Sequence, residues 1–292
     1  MNNVEPYNEF KEYLFENEKS KCTVDSYSSD IKQFFDFYKK DIADINKADI
    51  REYTDHLHSR ELSIKTINRK LVSLHQYIEF LNDENNSKIV VKVKQLKVEQ
   101  QGFINDMLDI YSVRRIVRAA QKKNNNRAIR AITMMFTLFY TGARVSEMLQ
   151  IKIKDIGKDS ITINGKGNKF REILIPKKLQ KQLAIYAAVR TKKSDYLFAG
   201  TKGALSRQTV HNDIKYYTGQ ARGINKKVAH AHSFRHLYAQ SLGKLGVNQI
   251  IISQLLGHSL NVTGTYMQVS KKELLDIINK LDFRPDEEIY LN

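Results

Sequence analysis

From Ser63 onward, Ile67, Leu71, Leu74, Ile78 and Leu81 recur at steps of three and four. That spacing puts every apolar side chain on one face of an α-helix. The same period returns along most of the chain and is the strongest constraint on its fold. Three prolines and 13 glycines are spread over 292 residues, so few positions force a helix to stop. Upstream, Tyr7, Phe10 and Leu14 begin one amphipathic stretch. Tyr27, Ile31, Phe34, Phe35 and Tyr38 make a second, with Thr23 as its expected cap, and Ile50, Tyr53 and Leu57 make a third. With the stretch from Ser63 these predict a four-helix unit ending near residue 84.

The pattern then changes. The segment from Asn82 to Gly102 begins polar, then alternates apolar and basic residues, with Lys88, Lys92, Lys94 and Lys97 in an extended run. A surface loop or edge strand is one reading. Structureless stretches of this length are rare inside compact domains, so a basic linker over 87–105 is expected, joining domains at 1–86 and 106–292. In the second domain helical patterns cover 111–121 and 127–141. Ile161 and Ile163, then Ile173 and Ile175, alternate around "NGKGNKFRE" and predict a hairpin with a glycine-rich tip. Helices are expected again at about 178–189, 206–219, 233–244 and 248–256, and "KKELLDIINKL" predicts a last amphipathic helix over 271–281. The expected fold class is mainly α with a small antiparallel β-sheet.

Lys and Arg total 48 against 32 Asp and Glu, a net charge of +16. Such a field favours a polyanion, because each phosphate neutralised by Lys or Arg releases counterions. No basic amphipathic helix with a bulky apolar face and no lipidation motif is present, which favours nucleic acid over a membrane surface. The longest apolar run, "AITMMFTLFY", is about half the roughly 20 residues needed to span a bilayer. The N-terminus lacks the basic-then-apolar pattern of a signal peptide, and the single cysteine, Cys22, permits no internal disulfide. A soluble, cytoplasmic protein is expected.

Four short pieces carry candidate chemistry. In "TGARVSEML", Arg144 and Glu147 stand three apart at a helix start, on one face; a surface ion pair worth little is the bland alternative. At the hairpin tip, Lys166 and Lys169 either reach a phosphate or are solvated turn residues. "HAHSFRH" gathers His230, His232, Arg235 and His236. His232 and His236 have a metal-ligand spacing, but no glutamate lies between them and Arg235 would repel a cation. The fourth piece, "LLGHSLNVTGTYMQ", holds His258 and Tyr266.

The ordered set Arg144, Lys169, His232, Arg235, His258, Tyr266 resembles the site of the tyrosine recombinase (phage integrase) family. "TGARVSEMLQIKIKDI", "NGKGNKFREILIP", "AHSFRHLYAQSLGKLGVNQIIISQLLGHS" and "VTGTYMQV" are similar to that family's blocks in order and spacing. "KCTVDSYSSDIKQFFDFY" and "SIKTINRKLVSLHQYIEFL" resemble its helical core-binding module. The resemblance implies a helical core-binding domain followed by a mixed α+β catalytic domain. It implies transesterification of DNA through a 3′-phosphotyrosyl link, with no cofactor and no metal. Arg144 and Arg235 would bind the non-bridging oxygens, since guanidinium forks suit phosphate and stay charged. His232 would move protons, Lys169 would protonate the leaving 5′ oxygen, His258 would hydrogen-bond the phosphate and Glu147 would hold the basic groups in place.

Tyr266 would be the nucleophile. It follows His258 by eight positions, one fewer than the family's usual separation, and the polar, glycine-containing "SLNVTG" is the place to absorb the difference. Double-stranded DNA with an inverted-repeat core site is the expected partner, bound by a tetramer. Lys65, Arg69 and Lys70 on the fourth helix, Lys92, Lys94 and Lys97 in the linker, and Lys166 at the tip are candidate DNA contacts, with solvated helix charges as the alternative for the first three. The simple two-domain type is expected, with no arm-binding domain before residue 5. The helix over 271–281 would pack either on a neighbouring protomer or on its own chain. Two other functions use similar parts: a type IB topoisomerase-like relaxing enzyme, and a DNA-binding regulator that keeps the fold without turnover.

Overall fold

The computed structural model describes residues 5–84, 88–97, 107–165, 170–201, 203–257 and 270–282. The chain divides into two compact units, Met1–Phe103 and Ile104–Asn292. Each has its own apolar core. Among the described residues no helix is long and apolar enough to cross a membrane.

The first unit holds α1 (Glu5–Glu16), α2 (Lys21–Phe37), α3 (Lys47–Ser59) and α4 (Ile64–Glu84). The apolar stripe of α4 is buried as its spacing predicts: Ile67, Leu71, Leu74, Ile78 and Leu81 all face the core. Phe34 of α2 meets Tyr53 of α3 edge-on at 4.9 Å, and Phe10 of α1 meets Tyr77 of α4 at 5.1 Å. The cap of α2 is Ser20 rather than Thr23. Its hydroxyl accepts from the Thr23 backbone N–H at 3.3 Å, so the helix starts most of a turn earlier than its apolar stripe suggests. Asn46 caps α3 and forms a capping box with Asp49.

Tyr53 is 1% exposed, and its hydroxyl has no hydrogen-bond partner among the described residues. A buried unpaired hydroxyl costs about 1–3 kcal/mol. Tyr53→Phe keeps the ring contacts and removes that cost. The urea midpoint of the first unit is therefore expected to stay level or rise, by up to about 1 kcal/mol in stability. A loss larger than that would mean the hydroxyl has a partner.

One expected DNA contact fails here. Lys70 is 5% exposed, and its ammonium donates to Asp30 Oδ1 at 3.1 Å and Gln33 Oε1 at 2.7 Å. Asp30 is itself buried and also takes Arg69 and the Ser73 hydroxyl. A buried carboxylate needs such partners, so Lys70 neutralises Asp30 between α2 and α4 and is not offered to a phosphate.

Residues 88–97, expected in the linker, form no regular element. They run back along α4. Asn82 brackets Ile89, accepting from its N–H at 2.9 Å and donating to its carbonyl at 3.1 Å. Asn68 does the same for Leu96, at 2.7 and 2.9 Å. The geometry is commensurate: 14 helical residues rise about 21 Å, and 7 extended residues span about 23 Å. Ile89 is buried with Val91, Val93 and Leu96 half-buried on the first core, while Lys88, Lys92, Lys94 and Lys97 are exposed. Alternation thus docks this segment on the first unit; the rest of 87–105 lies outside the described residues.

The second unit contains α5 (Ile110–Gln121), α6 (Asn126–Thr141), α7 (Val145–Met148), the hairpin β1 (Ser160–Asn164) and β2 (Phe170–Leu174), α8 (Lys177–Val189), α9 (Arg207–Gln220), α10 (Ala231–Lys244), α11 (Gln249–Leu256) and α12 (Lys271–Asn279). α6 carries the run "AITMMFTLFY" and is buried all round from Ala131 to Thr141, against α5, α8, α9 and α10. Its threonines are satisfied internally, Thr133, Thr137 and Thr141 each donating to the carbonyl four residues back. In the hairpin Ile161 faces Ile173, and Ile163 faces Arg171. α12 packs on its own chain: Ile278 and Leu281 enter the core, and Lys271 pairs with Glu172 at 2.9 Å.

Candidate active site

α6 ends at Gly142, in the left-handed region at φ +58. A Cβ there would lie 2.5 Å from Tyr238 Cδ1 and 2.9 Å from Leu256 Cδ2. Glycine is what lets α10 and the end of α11 close on this turn. Arg144 follows as the N-cap of α7. Its backbone N–H donates to Glu147 Oε2 at 2.7 Å and its Nη1 to Oε1 at 2.8 Å.

This is not a surface pair. Glu147 is 0% exposed, and a second guanidinium, Arg171 from β2, donates to it through Nη2 at 2.7 Å. Burial, the largest influence, pushes the Glu147 carboxyl up. The Arg171 hydrogen bond, the Arg144 backbone N–H and the Arg171 charge outweigh it, and the net shift is below the ordinary 4.5. The stabilisation linked to this ionisation is therefore complete above that ordinary value and is lost as the pH falls through the lower folded value. Glu147→Gln leaves Arg171 without its counter-charge, so about 3–5 kcal/mol should go at neutral pH. The gap between wild type and variant, followed by denaturant melts, should narrow below pH 4.5. A gap that stays constant into acid would show that the carboxylate charge contributes nothing.

α10 supplies the second half. His230 is its N-cap, with Nδ1 accepting from the Ser233 N–H at 3.3 Å. His232 and His236 stack edge to face at 4.4 Å between ring centres. Arg235 is 4% exposed and spans three elements: Nη1 donates to Gly142 O and Nη2 to Leu256 O, both at 2.6 Å. Burial first, then the charges of Arg144 and Arg171, push its pKa down to about 10, so it remains a cation at neutral pH. Burial, then His236, Arg235, His230 and Arg144, hold the His232 imidazole below the ordinary 6.5. Arg144, His232 and Arg235 therefore sit within one another's fields. Three guanidiniums against one carboxylate leave this corner positive and suited to an anion. Arg144 carries no partner on Nε or Nη2 among the described residues.

Lys166, Lys169, His258 and Tyr266 lie outside the described residues. So the structure brings together Arg144, Glu147, His232 and Arg235 of the expected set. Of the expected DNA contacts, Lys65, Lys92, Lys94, Lys97 and Arg69 are exposed, Arg69 with its guanidinium on Asp30. Arg171 was no candidate from sequence. The signal was the period of two: Arg171 is in phase with Ile173 and Ile175, which puts a charge on the buried face of the hairpin, where it needs a partner.

Residues 107–273 match the phage integrase family, and residues 7–85 match the phage integrase N-terminal SAM-like domain. A tyrosine recombinase of Pseudothermotoga lettingae is 30% identical over 93% of this chain and 96% of its own length. The tyrosine recombinase XerA of Pyrococcus furiosus is 32% identical over 93% of this chain and 92% of its own. In fold, the chain resembles a lambda integrase tetramer bound to a Holliday junction, with a TM-score of 0.69 at 16% identity, covering 89% of this chain and 78% of that one. A positive corner built on a buried glutamate, and sequence matches over nearly the whole length, lead to one conclusion: the chain belongs to the tyrosine recombinase (phage integrase) family of site-specific DNA recombination enzymes.

Proposed function

We propose that the chain cuts and rejoins duplex DNA through a covalent 3′-phosphotyrosyl intermediate on Tyr266. The observation that carries this reading is the convergence of Arg144 and Arg235, 91 positions apart (235 − 144), on one corner framed by buried Glu147. A phosphodiester repels nucleophiles and gains charge as the attacking oxygen arrives; fixed guanidinium donors meet that charge without reorganisation. In the forward step the Tyr266 oxygen bonds to phosphorus and the bond to the 5′ oxygen breaks. The phenolic proton passes to His232, whose lowered pKa keeps it a neutral acceptor at pH 7. Lys169 gives a proton to the departing 5′ oxygen, and His258 donates to the phosphate. Rejoining reverses each transfer with a 5′ hydroxyl from a second strand, so the bond energy is conserved and no nucleotide is consumed.

The domains read as a helical core-binding domain over 1–86 and a catalytic domain over 106–292, joined by the basic segment between them. The partner is duplex DNA with an inverted-repeat core site, gripped by exposed Lys65, Lys92, Lys94 and Lys97, by Arg69 and by Lys166. Four copies act on two synapsed sites, as in the tetramer on a Holliday junction formed by the lambda integrase neighbour. The biological task is integration and excision, or resolution, of a mobile element or replicon, carried out in the cytoplasm.

The test is covalent capture. A duplex from the DNA flanking the gene, nicked near the cut site so that the short fragment bearing the free 5′ hydroxyl diffuses away, should trap the protein as a band that survives denaturation. Specific binding to that duplex with no covalent band would overturn the reading in favour of a regulator. Relaxation of supercoils without exchange between two sites would favour the relaxing enzyme.

A further inference from the structure

We infer that Arg171 is a positioning residue that sets the two phosphate-binding arginines in register; the inference rests on the recombinase reading of the site above. Arg171 is the charged member of the inward face of the hairpin, opposite Ile163 and in phase with Ile173. Its guanidinium reaches in two directions. Nη2 donates to Glu147 Oε2 at 2.7 Å, with Nε at 3.4 Å from Oε1, and Nη1 donates to Leu255 O at 2.9 Å.

The last carbonyls of a helix have no partner within it and carry the negative end of its dipole. At the end of α11 two such carbonyls are taken by two different arginines, Leu255 O by Arg171 and Leu256 O by Arg235. Arg171 therefore joins the carboxylate that holds Arg144 to the helix end that holds Arg235. Gly257 records how tightly the guanidinium lies on this end. It has φ +64, and a Cβ there would fall 2.6 Å from Arg171 Cδ and 3.0 Å from Nε. The chain order extends the consequence. β2 begins one residue after Lys169, and His258 follows Gly257 directly. One side chain thus ties the strand that follows the proposed acid to the helix that precedes the proposed phosphate donor.

Lysine cannot do this, because a single ammonium replaces a planar fork that bridges two acceptors. Arg171→Lys is expected to bind the duplex as wild type does and to lose about 10²-fold in single-turnover cleavage, the scale of an ångström's misplacement at a reacting centre. Arg171→Met should lose more. The decisive comparison is a scissile phosphate replaced by a methylphosphonate, which has no charge for Arg144 and Arg235 to neutralise. If Arg171 acts through them, the Arg171→Lys deficit should shrink strongly on that substrate. An equal deficit on both substrates, or none on the ordinary one, overturns the proposal.

Amide hydrogen exchange gives a readout that needs no cleavage. Arg171→Lys and Arg171→Met should speed exchange over 249–257 while leaving α5 and α6 as in wild type. Unchanged exchange over 249–257 also overturns the proposal. If wild type itself forms no covalent product, the recombinase reading fails, and the exchange data still decide whether Arg171 anchors α11.

Discussion

Tyr266→Phe will bind target duplex with wild-type affinity and form no covalent product at any time point. The change removes one oxygen and preserves the ring, so packing and DNA contacts persist while the attacking atom is lost. A free phenol has a pKa of about 10 and reacts near neutrality only where cations stabilise its phenolate. Several described tyrosines are placed the wrong way for this. Burial first, with Asp30 adding to it, pushes Tyr53 up to about 12. Burial raises Tyr186 and Tyr217 as well, and Tyr238 is raised by it despite the fields of Arg171 and Arg235. A phenol sealed in a core cannot approach a phosphate in a duplex. Tyr266, eight positions after His258 in the chain, is the tyrosine that the family resemblance assigns to the attack. The measurement is the nicked-duplex capture on a denaturing gel, alongside a mobility shift to show that binding survives. A covalent band in the phenylalanine variant would remove Tyr266 as nucleophile and turn attention to the shortened interval after His258.

The helices were legible because their signal is local. Apolar residues at three- and four-residue steps in α2 and α4 fill the first core, and the continuous apolar run of α6 is buried in the second. The hairpin was legible from a period of two: Ile161 pairs with Ile173 as that period requires, while Ile163 faces Arg171. Long-range polar partnerships left no such trace. Lys70 looks like any helical lysine until Asp30, 40 residues earlier, is found beneath it. Arg171 meets Glu147 across 24 positions and Leu255 across 84, distances over which no periodicity speaks. The apolar–basic alternation of residues 88–97 predicts an extended run, but their docking depends on two asparagine side chains spaced along α4. Arg144 and Arg235 emerged from sequence by resemblance to a family. The resemblance already assigns Glu147 to hold the basic groups; the structure adds that Arg235 is held by backbone carbonyls and that Glu147 is buried and shared between Arg144 and Arg171.

Arg235→Lys should cost about 10²–10³ in the rate of covalent complex formation, equivalent to about 2.7–4 kcal/mol of transition-state stabilisation. Arg235 is almost wholly buried, and its Nη1 and Nη2 reach Gly142 O and Leu256 O at 2.6 Å each. These bonds fix the guanidinium plane between the turn after α6 and the end of α11. A lysine ammonium is a point donor at the end of a flexible stem and cannot span both carbonyls. One of them would lose its partner in a closed site. Charge suffers too. The burial and the neighbouring Arg144 and Arg171 that bring Arg235 down to about 10 would act on an ammonium that starts lower, drawing it toward neutrality. Geometry and charge therefore fail together, and the second failure depends on pH. In single-turnover cleavage at saturating protein, Arg235→Lys should fall further behind wild type as the pH rises above neutrality, because the ammonium discharges while the guanidinium does not. A deficit that is constant with pH would assign the loss to geometry alone. A rate within a few-fold of wild type would mean that Arg235 braces α6 and α11 without meeting the phosphate, leaving Arg144 to carry the anion.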